Sequence, residues 1–280
     1  MRLVGFILVM MPFFVFGQEW TIAKSGGKTL DQYIRDLSEV DGSQVHPQDF
    51  LKFVDRLDEK SEEKNTLKFC RTLFQKTRQE FLRSYAQYAS FGETLSKGKY
   101  NCLTGTAMYA MLLQHFDIQY TIIETNYHIF LLADTNEGRV LFEATDPLHG
   151  FVTNPDEIEK RIQQYKQNVI QPTAAGSNKK YYEYNVSLYQ QVTLDQMSGL
   201  LHYNLSIEAY NQQDFQEAIR HLDKALALYS SPRTTEFSAI LLLSVLESKL
   251  DESVKEGYLK SIQAIRKKQL PVVASRSQSY

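Results

Sequence analysis

The chain has 280 residues, enough for one large domain or for two ordinary ones with a core each. It is 43% hydrophobic and 23% charged, with 31 Lys and Arg against 33 Asp and Glu mixed along its length. This balance excludes low-complexity character and supplies no field of one sign, so no nucleic-acid partner is expected.

In chain order, "MRLVGFILVMMPFFVFGQEW" comes first and reads as a secretory signal. Arg2 is a short basic region, Leu3 to Phe16 an apolar run, and Val15 and Gly17 suit the −3 and −1 positions of a cleavage site. The run falls short of the roughly twenty residues a membrane span needs, and Pro12 interrupts it. We therefore expect a signal peptide over 1–17, Gln18 as the first mature residue, and an exported protein, periplasmic or secreted. An uncleaved anchor is the other reading. No cysteine follows the run to carry a lipid, and no later stretch reaches spanning length, so no stable membrane insertion is expected after cleavage.

Residues 18–90 form an N-terminal helical segment, with helical spacing from Thr29 to Leu95. Leu30, Tyr33, Ile34 and Leu37 recur at three and four residues, as do Phe50, Phe53, Val54 and Leu57. Leu67 to Tyr88 continues the pattern with Phe69, Leu73, Phe74 and Phe81. Cys70 falls among these as a core residue. "DGSQVHP" is the turn between the first two helices, and it puts His46 at the surface.

The character changes over 91–192. "GKYNCLTGTAMYAMLLQHF" is a small and apolar helix, "QYTIIE" and "YHIFLLA" are strands, "DTNEG" is a hairpin turn, and "RVLFEATDP" is the next strand. Asn154-Pro155 starts a short helix, "PTAAGSNKK" is a loop, and "YYEYNVSLYQQVTL" returns as a strand. The fold class is α+β: a central helix with an antiparallel sheet, preceded by helices and followed by an all-α region.

That last region, 193–280, carries Leu205, Ser206, Ala209, Phe215, Ala218, Ala225 and Leu226 in the small-and-large pattern of a tetratricopeptide unit of about 34 residues. Ser231-Pro232 closes it. A degenerate second unit follows, with Leu241, Val254, Tyr258 and Ile262 at comparable places; a plain amphipathic helix pair is the simpler reading. Two units fall short of the roughly three that stand alone, so these should pack on the rest of the chain. The closing "ASRSQSY" reads as a frayed tail.

The chemistry centres on Cys102. Asn101 is a good N-cap, which puts Cys102 at the first helical position, where unpaired N–H groups and the positive end of the dipole favour a thiolate. Gly105, Ala107 and Ala110 make a slim helix able to run through a core. A cysteine nucleophile needs a base, and the base an orienting acceptor. His115 closes the same helix and is too far along it, His149 lies in a loop, and His202 and His221 lie in the repeat region. His128 sits inside an apolar strand, where a packed core histidine is the competing reading.

A hairpin loop of five residues, Thr135 to Arg139, would pair Asp134 with Val140, Leu132 with Phe142, Phe130 with Ala144 and His128 with Asp146. Opposed residues share a face with Cβ atoms about 5 Å apart, within reach of an imidazole–carboxylate bond. Glu143, the nearest rival, would then point to the other face. One residue more or less in the loop breaks the match. The expected catalytic residues are Cys102 as nucleophile, His128 as base and Asp146 as orienter.

The stretch from Phe91 to Phe151, including "NCLTGTAMYAMLL", "YHIFLLA" and "EATDPLHGF", resembles the transglutaminase-like superfamily. That family has a cysteine at the head of a central helix, a histidine on the next strands and a "DP" aspartate one strand on; Cys102, His128 and Asp146 occupy those places. With the helical region behind it, the chain is similar to the branch that joins such a domain to tetratricopeptide repeats. The resemblance implies a papain-like core and thiol chemistry on an amide carbonyl, hydrolysis or transfer to an amine, with a protein or peptide substrate and no cofactor. It also implies an oxyanion site made by the Cys102 backbone N–H and a second donor among Tyr100, Gln87 and Asn101.

Three readings stay open. One is a thiol amide hydrolase or acyltransferase. Another is a non-catalytic module with a protein partner at the repeat region. The third, a metal site on Cys102, His128 and Asp146, lacks paired ligand spacing. A Cys70–Cys102 disulfide would silence the nucleophile; the size of the chain favours two free thiols.

Overall fold

The computed structural model describes residues 27–43, 47–60, 62–167 and 188–276, with side chains to residue 268. The signal segment 1–17, His46, the loop "PTAAGSNKK" and residues 277–280 lie outside the described residues.

Among the described residues three α-helices come first, each starting and burying where its spacing dictates. α1 (Leu30–Ser38) begins in a capping box made by Thr29 and Gln32, and it buries Tyr33, Ile34 and Leu37. α2 (Gln48–Asp58) buries Phe50, Phe53, Val54 and Leu57. α3 (Leu67–Phe81) is capped by Thr66 and buries Phe69, Cys70, Leu73, Phe74 and Phe81. Burying each such side chain contributes about 1.5–3 kcal/mol, so these faces seat the helices. The expected helix to Tyr88 stops at Phe81. Beyond it the backbone N–H groups of Arg83 and Ser84 both donate to Gly98 O (2.9 and 3.0 Å). The chain thereby leaves the helix for β1 (Ser84–Tyr85), which pairs in parallel with β2 (Lys99–Tyr100). Between these strands runs α4 (Phe91–Lys97), capped by Ser90.

α5 (Cys102–His115) is the central helix. Eleven of its fourteen residues are buried, and no face is polar, so it has neighbours all round. The five-stranded antiparallel sheet beside it has the order β6-β5-β4-β3-β7, from β3 (Gln119–Thr125), β4 (Ile129–Thr135), β5 (Gly138–Phe142), β6 (Phe151–Val152) and β7 (Tyr189–Val192). One sheet face, with Ile122, Ile129, Leu131, Ala133, Val140 and Phe142, joins α5 and the N-terminal helices in the main core. The other, with Ile123, Phe130, Leu132 and Leu141, is covered by Ile158 and Ile162 of α6 (Pro155–Lys166). The arrangement is mixed α and β with an antiparallel sheet, as the α+β expectation has it.

Four further helices follow: α7 (Met197–Asn211), α8 (Phe215–Leu228), α9 (Pro232–Glu247) and α10 (Glu252–Arg276). Ala218, Ala225, Phe237, Leu241 and Ile262 form their common core. Ser206 Oγ donates to Ala218 O at 2.6 Å, so the small residues mark where α7 and α8 press together. Val254 differs from its expected place: it is exposed, while Leu241 and Ile262 carry the contact between α9 and α10. α10 also runs on to Arg276, through residues read from sequence as tail. Met197, Leu200, Leu201 and Tyr229 belong to the main core, so the C-terminal helices are seated on the α5 layer. No helix among the described residues is long and apolar enough to cross a membrane.

Candidate active site

The head of α5 is fixed by its cap. Asn101 Oδ1 accepts from Thr104 N (2.9 Å), and Thr104 Oγ1 accepts from Asn101 N (3.1 Å). The Asn101 side-chain amide donates both its hydrogens, to the carbonyls of Gln87 (3.0 Å) and Ala89 (3.1 Å). Asn101 is therefore spent as a structural clamp, which removes it from the candidate oxyanion donors. Gln87 is exposed, with Nε2 donating to Tyr88 Oη at 3.3 Å. Tyr100 is buried and packs edge-on against Tyr85 (6.2 Å between centroids). One turn along α5, a Cβ at Gly105 would stand 2.6 Å from Ala144 Cβ, so only glycine lets the helix head lie directly on the segment after β5. Cys102 is a free thiol, part-exposed, and Cys70 is free and buried.

His128 stands in the tight turn between β3 and β4. Thr125 Oγ1 accepts from His128 N (3.1 Å), and Thr125 N donates to His128 O (2.8 Å). The Cys102 thiol lies close enough to the ring to help raise its pKa. The ring Nε2–H donates to Glu143 Oε2. The His128 side chain is 20% exposed and that of Glu143 4%, so the imidazole meets solvent while its carboxylate partner does not.

Glu143 is held from every side. Its Oε1 accepts from Thr145 N (2.9 Å) and Thr145 Oγ1 (2.6 Å). Oε2 accepts from Tyr165 Oη (3.2 Å) as well as from His128. Tyr165, on α6, also lays its ring against His128 (5.0 Å between centroids). The loop that follows needs Gly150: Glu143 N donates to Gly150 O (2.7 Å), Gly150 N to Asp146 O (3.0 Å), and a Cβ there would collide with both the Glu143 and Asp146 carbonyls.

Burial works first against charge on both partners of the imidazole–carboxylate pair. It is outweighed at His128 by the Glu143 carboxylate, by Cys102 and by the hydrogen bond to Glu143, which raise the imidazole from 6.5 to about 10. Glu143, opposed by the same burial, is drawn below its ordinary carboxylate value by His128 and Thr145. Burial, then the charge of Glu143, raises the Tyr165 phenol and keeps it a donor.

The structure brings Cys102 and His128 together and leaves Asp146 apart. Asp146 Oδ2 pairs with Arg161 Nη1 of α6 (3.1 Å), and Oδ1 accepts from His149 N (2.9 Å). The reason is register. Thr135 pairs with Gly138 and Leu131 with Phe142, so the loop is Asn136-Glu137, two residues and not five. Carried onward, this ladder sets Glu143 beside Phe130, on the face of His128, and rotates Asp146 away. The tight turn is enforced from a distance: Asn136 N donates to Asn65 O (3.1 Å), and the Glu137 carboxylate accepts from Leu67 N at the start of α3 (2.6 Å). The signal in the sequence was the rival carboxylate itself. Nothing in the sequence marked Tyr165.

Among the other histidines, His149 is exposed, His115 closes α5, and His202 and His221 form a buried pair between α7 and α8 (Nδ1 to Nδ1, 2.9 Å). Among the described residues no group of three or more His, Cys, Asp or Glu is placed to hold a metal ion. No protein-family model matches this chain, and no curated protein or solved structure matches it.

Proposed function

We propose that the chain is a thiol-dependent amide hydrolase or acyltransferase of transglutaminase-like, papain-like type, acting through Cys102, His128 and Glu143. The observation that carries this reading is the continuous line from a helix-head sulfur through an imidazole to a buried carboxylate with all its acceptor positions filled. With the imidazole raised to about 10, the ring holds the proton that Cys102 gives up, so the pair acts as thiolate and imidazolium, and the sulfur attacks an amide carbonyl carbon. The Cys102 backbone N–H, free at the helix head, faces the resulting oxyanion. The C–N bond then breaks as His128 returns the proton to the leaving amine. Water, or a second amine, resolves the thioester. Glu143 holds the ring in its orientation and stays ionised, and Tyr165 and Thr145 hold Glu143.

The substrate class under this reading is a protein or peptide, outside the cytoplasm if the N-terminal segment is a signal. Alkylation by iodoacetamide against pH tests it. Cys70 is silent in this assay because burial pushes its thiol up to about 12. Cys102 should react well below pH 8 and lose that reactivity in His128→Ala. A profile centred near the free-thiol value of about 8.5 in both proteins would overturn the catalytic reading.

A second reading is supported by a specific observation. Leu243 and Leu246, three apart on α9, are 55% and 48% exposed, with Val254 beside them in sequence at the start of α10. Exposed leucines on one helix suit a tetratricopeptide-like module that binds a protein partner, with or without catalysis.

A further inference from the structure

The turn that carries His128 is held from the C-terminal helices. Glu124, at the end of β3, is wholly buried, and its carboxylate accepts from Tyr229 Oη (2.6 Å) and Gln190 Nε2 (3.0 Å). It is paired with Arg233 Nη2 of α9 at 2.7 Å. Arg233 is itself largely buried, its guanidinium lying over the Tyr203 ring of α7 (4.8 Å). The other guanidinium nitrogen, Nη1, donates to the backbone carbonyl of Asn126 (3.2 Å), two residues before His128. The Asn126 side chain in turn accepts from Leu188 N at the start of β7 (2.6 Å). One planar cation thus bridges two points of the same turn, Glu124 and Asn126, from an element more than a hundred residues away.

We propose that Arg233 is a positioning residue for His128, through which the C-terminal helices set the β3–β4 turn so that the imidazole faces the Cys102 sulfur. The inference rests on the reading of Cys102 and His128 given above. Its physical content is geometric. The fork of a guanidinium offers two separate terminal nitrogens in fixed directions, one to the carboxylate and one to the carbonyl, whereas a lysine has a single nitrogen to reach both. The groups facing His128 are Cys102 from α5, Glu143 from the loop after β5, and Tyr165 from α6. Arg233 touches none of them, so its effect on the thiol runs only through the turn.

The experiment is the pH profile of Cys102 alkylation in the full chain, comparing wild type, Arg233→Gln, Arg233→Lys and Tyr229→Phe. Arg233→Gln should lower the rate at pH 6.5 by about tenfold or more, with the rate above pH 9.5 unchanged, since a displaced base no longer assists the thiol. Arg233→Lys keeps the charge beside Glu124 and should fall between the two. Tyr229→Phe loosens Glu124 without touching Asn126; it should lower the melting temperature and leave the profile alone. If Arg233→Gln does not fold, Arg233→Lys against Tyr229→Phe decides the matter by the same criterion. A wild-type profile in the Arg233 variants, or an equal shift in Tyr229→Phe, would overturn the inference. A wild type that itself behaves as an ordinary thiol, unaffected by His128→Ala, would instead sink the reading of the site.

Discussion

Glu143 and Asp146 are three residues apart, and only Glu143 reaches His128. Glu143 accepts four hydrogen bonds, from His128, Tyr165 and two groups of Thr145, while Asp146 pairs with Arg161. Glu143→Gln should therefore abolish Cys102 alkylation below pH 8, and Asp146→Asn should leave the profile unchanged; iodoacetamide kinetics on the two variants measures this. Stability follows the same pair. His128 is raised from 6.5 to about 10, so its contribution is fully present below pH 6.5 and is lost as pH rises through about 10. Glu143 is lowered from 4.5, so its contribution is present above pH 4.5 and is lost as pH falls through its depressed value. The melting temperature of wild type should exceed that of His128→Gln most between pH 4.5 and 6.5, and the gap should close by about pH 10. Thermal denaturation across that range reads the difference.

At the scale of elements, the α7–α8 hairpin contains a buried polar pair whose state can be deduced. Arg220 Nη2 donates to His221 Nε2 (2.8 Å), so that nitrogen carries the lone pair and the hydrogen sits on Nδ1. His221 Nδ1–H then donates to His202 Nδ1, which fixes the hydrogen of His202 on Nε2. Protonating either ring breaks the arrangement. Burial lowers both to about 4, helped at His202 by His221 and at His221 by Arg220. A folded-state value depressed below 6.5 means that stability is whole above pH 6.5 and declines as pH falls toward 4. The expected outcome is a melting temperature that drops between pH 6.5 and 5, with the drop flattened in the His202→Gln, His221→Gln double variant. Nitrogen-15 NMR should show the two opposite tautomers at pH 7.5.

For the whole molecule, the question is whether the C-terminal helices are an appendage. Met197, Leu200, Leu201 and Tyr229 lie in the same core as α5, and the buried Glu124–Arg233 pair ties α9 to the sheet. Removing one partner of such a pair strands a buried charge, at a cost of about 3–5 kcal/mol. Calorimetry should give a single cooperative transition, with calorimetric and van't Hoff enthalpies equal. Two separated transitions would show that the helices fold as an independent unit.

What the sequence determined by itself was local. The spacing of Tyr33, Ile34 and Leu37, the Asn101 and Asn154 caps, the slim apolar helix behind Cys102, and the small residues at Ala218 and Ala225 all act within a few turns of chain, where periodicity and capping are strongest. Cys102 and His128 could be singled out because a thiol at a helix head and a histidine in an apolar run have recognisable settings. Tertiary structure decided which carboxylate meets the His128 ring. A loop of two residues and not five was imposed by Asn65 and Leu67, some seventy residues upstream, and a strand slipped by one position turns every side chain to the opposite face. The end of α3 at Phe81, the role of Tyr165 and the reach of Arg233 into the His128 turn have the same origin. Each depends on a partner that is distant in sequence and close in space, and no local pattern records such a partner.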